Sequence, residues 1–437
     1  MIPRLTNEPG AIEVAAQIRS GALTPLEATD AAIARIEALD GPINAVVIRD
    51  FERARETARA MTAPGENQLL FGVPMTVKES FDIAGLPTCW GLAEHSEKVA
   101  QTDAIVVQRL KRAGAVILGK TNVPPMLADW QATNPVYGRT VNPHDPARTP
   151  GGSSGGSAAA LAAGMVAAEY GSDIGGSIRI PAHFCGVWGH KTTWGVVTAK
   201  GQEFPGTDGH EVALGVVGPL ARSGEDLALL LEVTLDRPLA LAAKPIAQSR
   251  FLYLDRHPLC PVSDKVRGPI EATVEAIEMA GGTVDRRSDY LPDLAALHGQ
   301  YMRMLQVGLM RGAPGPDGQV ATAAQWFDML DAQHHAQRAW AALLEQYDFV
   351  LAAPAALPAF PHDERAMPDR VWDVAGEPHG AEAVLAYAGM AVFAGLPATV
   401  LPVGTAGHLP VGLQVIGDRF TDRDCIAMAT AIGALLA

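Results

Sequence analysis

Cysteine is scarce in this sequence: four residues, Cys89, Cys185, Cys260 and Cys425, lie far apart without paired spacing. That excludes a disulfide framework and a cysteine-bound zinc site, and it points to reduced thiols in a cytoplasmic protein. Positive charge is also short. Lys and Arg number 34 against 48 Asp and Glu, giving a net charge of −14 and no basic blocks. An acidic chain of this kind argues against nucleic-acid and anionic-membrane partners. Long hydrophobic runs are missing too. The longest, around Ala158 to Ala168, is too short to span a bilayer. The N-terminal Met1–Glu8 stretch has no long apolar region, so no signal peptide is expected. The 12 histidines scatter without a Ser/His/Asp order, and His183 and His190 read as structural.

What is present is apolar and glycine-rich. Hydrophobic residues make up 48% of the chain and charged residues 19%, enough for a substantial core. The chain is organised around residues 149–179. Thr149-Pro150-Gly151-Gly152-Ser153-Ser154-Gly155-Gly156-Ser157 is followed by an alanine-rich run, and then by Gly171-Ser172-Asp173-Ile174-Gly175-Gly176-Ser177-Ile178-Arg179. Ala158, Leu161, Ala162 and Met165 read as one buried helix, so both glycine turns sit on structure. Successive N–H groups in such turns form a concave nest that binds oxyanions.

Other chemistries fit this stretch less well. A flexible Gly/Ser linker would not flank a buried helix. A phosphate loop needs Lys after its last glycine, where this chain has Ser157. Gly151–Gly155 does match the G-x-S-x-G nucleophile elbow, but that elbow must follow a strand directly. Arg148-Thr149-Pro150 precedes it, and proline suits the end of a central strand poorly.

Elsewhere, strands alternate with helices. Residues 11–20 are amphipathic, with Gly21 as the stop. Thr24-Pro25-Leu26-Glu27 reads as a capping box opening a helix to about Leu39. Ala45–Ile48, Leu70–Val77, Ala115–Leu118, Phe251–Leu254 and Phe349–Leu351 read as strands. Asp103–Arg112, Leu227–Leu231 and Lys265–Ala280 read as helices. Residues 120–150 and Gly189–Gly195 read as loops. Residues 290–345 read as helices whose large side chains, Tyr301, Met302, Met304, Leu305, Trp326, Phe327 and Trp340 among them, mostly pack into core. Two segments, 398–404 and 412–417, read as a closing strand pair before a helix from about Asp422. This alternation predicts an α/β protein with a doubly wound or mixed sheet. Lys78 stands out at the end of an apolar strand, because lysine is rarely buried without a partner; the stretch alone favours a snorkelling side chain whose head reaches water.

At Lys78, Ser153 and Ser177 the chain resembles the amidase signature family. The matching text is Pro74-Met75-Thr76-Val77-Lys78-Glu79, Gly119-Lys120-Thr121-Asn122, Pro150 through Ala163, Gly171 through Ala182, and Leu409-Pro410-Val411-Gly412-Leu413-Gln414. The resemblance implies one large α/β/α domain over residues 1–437, around a mixed, many-stranded twisted sheet. Within it fall N-terminal helices at 10–40, a motif-rich core at 70–220, a variable pocket-forming region at about 240–345, and sheet completion by 346–437. It also implies a Ser–cis-Ser–Lys triad, with Ser177 as the acyl-forming nucleophile, Ser153 as the bridge and Lys78 as the base. The N–H groups of Ile174, Gly175, Gly176 and Ser177 would form the oxyanion hole. Ser154, Asp173 and Arg179 would support them, and Leu127 and Asp129 would line the acyl pocket. The chain departs from the family's usual text at Pro125-Met126 and Thr192.

The chemistry is coherent in itself. Serine is a weak nucleophile that needs an adjacent base, and lysine serves only when neutral. Apolar Val73 and Val77 beside Lys78 favour that state. The expected reaction is hydrolysis of a carboxylic amide, an aryl amide or carbamate included, through an acyl-enzyme. No metal or cofactor is called for. The expected partner is a neutral small-molecule amide, with a homodimer left open. The alternatives are a glutaminase-type subunit of a tRNA-dependent amidotransferase, a catalytically silent binding protein, and an esterase centred on Ser153.

Overall fold

The computed structural model describes residues 5–207, 209–315 and 318–436. An eight-stranded sheet forms its centre. Its strands run in the order Thr283–Asp285, Arg250–Leu254, Phe349–Ala352, Leu409–Ile416, Ala398–Ala406, Trp188–Lys191, Val216–Ala221 and Glu169–Asp173. The pairs at the Thr283–Asp285 edge are parallel, and the remaining pairs are antiparallel. A second sheet joins Val46–Arg49, Val116–Thr121 and Pro74–Lys78. An isolated bridge between Met75 and Ala168 sets it beside the larger one. The fold is therefore α/β around a mixed, many-stranded sheet, as the sequence implies.

Local signals hold where they rest on backbone chemistry. Thr24 accepts from the Glu27 N–H while Glu27 reaches back to the Thr24 N–H, closing the expected capping box. That helix, Pro25–Ile43, runs past Leu39 and ends in a left-handed Asn44. The Leu70–Val77 strand begins only at Pro74, because residues 70–72 turn to bond the Ala113–Gly114 backbone. The expected loop over 120–150 is largely irregular, with two short paired segments at Thr133–Asn134 and Gly138–Arg139.

One reading is corrected. The expected loop Gly189–Gly195 begins inside a buried strand of the large sheet, Trp188–Lys191, which lies between Val216–Ala221 and Ala398–Ala406. Its polar side chains disguise it. His190 bonds Thr399 Oγ1 and Asp422 Oδ1 at 2.9 and 3.1 Å, and Lys191 Nζ donates to the carbonyls of Thr192 and Leu396. Apart from Thr192, the partners that satisfy those groups come from residues 205 to 232 positions away, which no local pattern reveals.

Two short, fully buried helices carry the centre of the fold. Gly155–Ala162 starts immediately after Ser154, and Arg179–Cys185 follows Ser177 and Ile178. The first is built of Gly, Ser and Ala, which lets backbone approach backbone. A Cβ on Gly156 would lie 2.3 Å from the Asn122 nitrogen. In the 290–345 region, Tyr301, Met304 and Trp340 are buried as expected. Phe327, at 65% exposure, is surface rather than core.

Candidate active site

Two strand ends and two helix starts converge on one cavity. Lys78 is the last residue of Pro74–Lys78, and Ser172 and Asp173 end Glu169–Asp173. The Gly151–Ser154 turn enters one buried helix, and the Ile174–Ile178 turn enters the other. A Cβ at Gly152 would strike the Asp129 carbonyl at 2.3 Å, so only glycine lets this turn pass. The Gly152–Ser153 peptide is cis.

Lys78 is fully buried, and its Nζ lies 2.6 Å from Ser153 Oγ and 2.9 Å from Ser172 Oγ. Burial drives its pKa down to about 7, against the opposing pull of the Asp173 and Glu79 carboxylates. Lys191 is also buried and also pulled down to about 7, but its Nζ meets only backbone carbonyls. Geometry separates the two: Lys78 alone of this pair faces hydroxyl groups. Ser177 borders the same cavity as Ser153 and Ser172. Its carbonyl accepts the Ser154 N–H at 3.1 Å, and Ser154 Oγ reaches the Ser172 carbonyl at 3.3 Å, so Ser154 ties the two turns together. Ser177 and Ser153 share the cavity without a direct hydrogen bond between their hydroxyls.

Asp173 organises the second turn. It accepts N–H groups from Gly176 and Ile178 and a bidentate pair from Arg179 at 2.9 and 3.0 Å. Burial alone would raise this carboxyl, but the Arg179 guanidinium and the N–H donors outweigh it and hold the pKa at about 2. Arg179 in turn donates to the Ala388 carbonyl and to Gln414 Oε1. Removing the cation leaves a buried carboxylate unpaired. Arg179→Leu is therefore expected to cost about 3–5 kcal/mol. Urea unfolding tests this, and an unchanged midpoint would show that the pair does not hold the turn.

Asp173 also bears on the expected set of N–H donors. The Gly176 N–H is already committed to Asp173 Oδ1 at 2.9 Å. Among the described residues, the N–H groups of Ile174, Gly175 and Ser177 meet no acceptor within the chain. Those three remain free for a ligand.

Leu127 and Asp129 both line the cavity, as expected. Asp129 does so with its carboxylate spent, because Arg370 grips it at 2.5 and 2.7 Å. The rest of the wall is largely apolar, with Trp90, Met126, Val212, Leu305, Leu309 and Leu385, and Gln202 adds one polar side chain, which donates to Ser80 Oγ. Met126 and Leu127 are both left-handed, with φ of 56° and 58°, and so aim two large side chains around a tight bend. Sequence reading missed Ser172, Trp130, Tyr301 and Gln414. Ser172 lies beside the glycine turn and was legible from its neighbourhood; the other three reach the site only through tertiary packing. His183 is structural, as read: Gly412 N–H donates to its Nδ1 at 2.7 Å, and its Nε2 meets the Leu357 carbonyl.

The amidase family model matches residues 27–252 and 296–426. This chain belongs to the amidase signature family. The break between the matched segments falls inside the 240–345 stretch expected to vary. The chain is 30% identical to an indoleacetamide hydrolase of Bradyrhizobium diazoefficiens, over 97% of this chain and 85% of the relative. It is 31% identical to a glutamyl-tRNA(Gln) amidotransferase subunit of Deinococcus radiodurans, over 97% of each. The crystal structure of an amidase superposes with a TM-score of 0.84 at 28% identity, covering 98% of this chain and all of the other. The protein is thus an amidase, a hydrolase of C–N amide bonds. Among the described residues, no helix of this amidase is long and apolar enough to cross a membrane.

Proposed function

We propose that this amidase cleaves a neutral carboxylic amide bearing a compact apolar group, through an acyl-enzyme on Ser177. The observation that carries the reading is the Lys78–Ser153 contact of 2.6 Å at the edge of a largely apolar cavity that Ser177 also borders. A neutral amine has two N–H bonds and one lone pair. Lys78 would donate to Ser172 Oγ and take the Ser153 proton on its lone pair, while Ser153 takes the Ser177 proton. Catalytic hydrogen bonds commonly tighten only when substrate binds, so the missing Ser153–Ser177 bond is compatible with this relay.

The steps balance. Ser177 Oγ bonds to the carbonyl carbon, and the C=O electron pair moves onto oxygen. The N–H groups of Ile174, Gly175 and Ser177 would receive that oxyanion, each donor worth about 3–4 kcal/mol in comparable sites. Collapse breaks the C–N bond, and the amine leaves with the proton returned through Ser153. Water then adds by the same route, and a second collapse frees Ser177 and the acid.

Cavity size and charge favour the substrate class. A volume of about 150 Å³ matches a benzene-sized apolar group. The charged residues among its lining are Asp129 and Asp173, and both are paired with arginines. Free glutamine carries an α-amino and an α-carboxylate group, and nothing in this lining answers them. The indoleacetamide hydrolase relative fits an aryl-bearing amide, whereas the glutamyl-tRNA(Gln) amidotransferase relative fits glutamine. A screen across anilides, arylacetamides, aliphatic amides, carbamates, esters and glutamine decides. Fastest turnover is expected on aryl-bearing amides, with hydroxamate formed when hydroxylamine intercepts the acyl-enzyme. Preference for glutamine, or no hydroxamate from any turned-over amide, overturns the reading.

A further inference from the structure

We infer that Tyr301 is a positioning residue of the oxyanion site: its phenol holds the Ile174 carbonyl and thereby turns the Gly175 N–H toward the cavity. The inference rests on the acyl-enzyme reading above and assigns a role to a side chain from the helix Leu294–Met310, far from the glycine turns in sequence.

Tyr301 is fully buried, and its Oη donates to the Ile174 carbonyl at 2.9 Å. A Cβ on Gly175 would lie 3.3 Å from that oxygen, so the phenol presses directly on the turn. A peptide unit is planar and trans, so its C=O and N–H point to opposite sides. The unit that offers its Ile174 carbonyl to Tyr301 therefore presents the Gly175 N–H on the far side. Gly175 borders the cavity there, beside Ser177.

The neighbouring peptide units are held by other groups. The Gly175 carbonyl accepts Trp130 Nε1–H at 2.9 Å while the Gly176 N–H goes to Asp173, so that unit is pinned at both ends and faces away from the ligand. The Gly176 carbonyl accepts the Ile180 N–H at 2.7 Å, which leaves the Ser177 N–H opposite it. The helix fixes the Ser177 donor, the ion pair fixes the frame, and Tyr301 fixes the Gly175 donor. Burial pushes the phenol's ionisation well up, so it remains a donor over the whole working pH range. Its ring is seated independently of the hydroxyl. It packs on the His298 ring at 5.7 Å between centroids, and Gly389 leaves room beside both rings, where a Cβ would lie 3.0 Å from the Tyr301 ring and 3.1 Å from His298 Nδ1. Tyr301→Phe thus removes one O–H and keeps the packing.

The test compares Tyr301→Phe with the same position carrying 4-aminophenylalanine, whose N–H restores a donor. In Tyr301→Phe, kcat on a neutral amide is expected to fall about tenfold with KM within about twofold, since oxyanion donors act in the transition state more than in the ground state. Affinity for a trifluoromethyl ketone, which adds to serine as an oxyanion, is expected to fall by a similar factor. The amino variant is expected to recover most of both losses. Unchanged kcat in Tyr301→Phe, a change confined to KM, or equal losses in the phenylalanine and amino variants would overturn the inference. Ser177→Ala in the same panel separates the two levels of the argument. If it stays active, the acyl-enzyme reading fails and this inference with it. If it is dead while Tyr301→Phe matches the wild type, only the role of Tyr301 fails.

Discussion

Ser177→Ala is expected to lose at least about 10⁴-fold in kcat, the scale set by other serine nucleophiles, while a fluorophosphonate labels the wild-type enzyme on the peptide that contains Ser177. The expectation follows from position. Ser177 carries one of three uncommitted N–H donors and lies close to the other two, whereas Ser153 is already held by Lys78. Attack from Ser177 would leave the new oxyanion within reach of those N–H groups. Ser153→Ala is expected to lose less, because Lys78 and a bridging water retain part of the relay. The losses of Ser153→Ala and Lys78→Ala should be strongly non-additive, since groups that pass one proton act as a unit. Label found on Ser153, with Ser177→Ala still active, would exchange the two roles and revive a Ser153-centred esterase.

Activity is expected to rise with pH through about 7 and then level off, as Lys78 gives up its proton. The sign follows from burial. Desolvation disfavours the ammonium form, so the pKa drops from the ordinary lysine value, and the amine is neutral where an exposed lysine would still be charged. Below about pH 7 the ammonium has no lone pair, and Ser153 has no acceptor for its proton. Lys78→Ala is expected to lose at least about 10³-fold at every pH and to abolish the rise. Its thermal unfolding should hold or improve at neutral pH, because the substitution removes an amine that must give up its proton to be buried. A normal pH–rate profile in Lys78→Ala would remove the lysine from the mechanism. Lys191→Ala is the control: that lysine is pulled down similarly by burial but bonds only carbonyls, so it should affect stability and leave the profile's midpoint in place.

The sequence by itself determined the local devices: the Thr24 capping box, the helix after the first glycine turn, the closing strand pair, and the place of Lys78 at a strand end. Each depends on neighbours within a few positions, through backbone conformation or apolar pattern, so a linear reading reaches it. The candidate serines were legible for the same reason, because Gly151–Gly156 and Gly171–Ser177 advertise turns that only glycine can make. Tertiary structure decided what depends on partners far along the chain. Trp188–Lys191 became a central strand because Thr399, Asp422 and the Leu396 carbonyl satisfy its polar groups. Asp129 became part of a wall with no free charge because Arg370 neutralises it. The Gly176 N–H, expected among the oxyanion donors, is bound by Asp173, and Tyr301 captures the Ile174 carbonyl next to the Gly175 N–H. A peptide's two hydrogen-bonding groups are fixed relative to each other by its planarity, but the direction they face is set by whichever distant side chain captures the carbonyl.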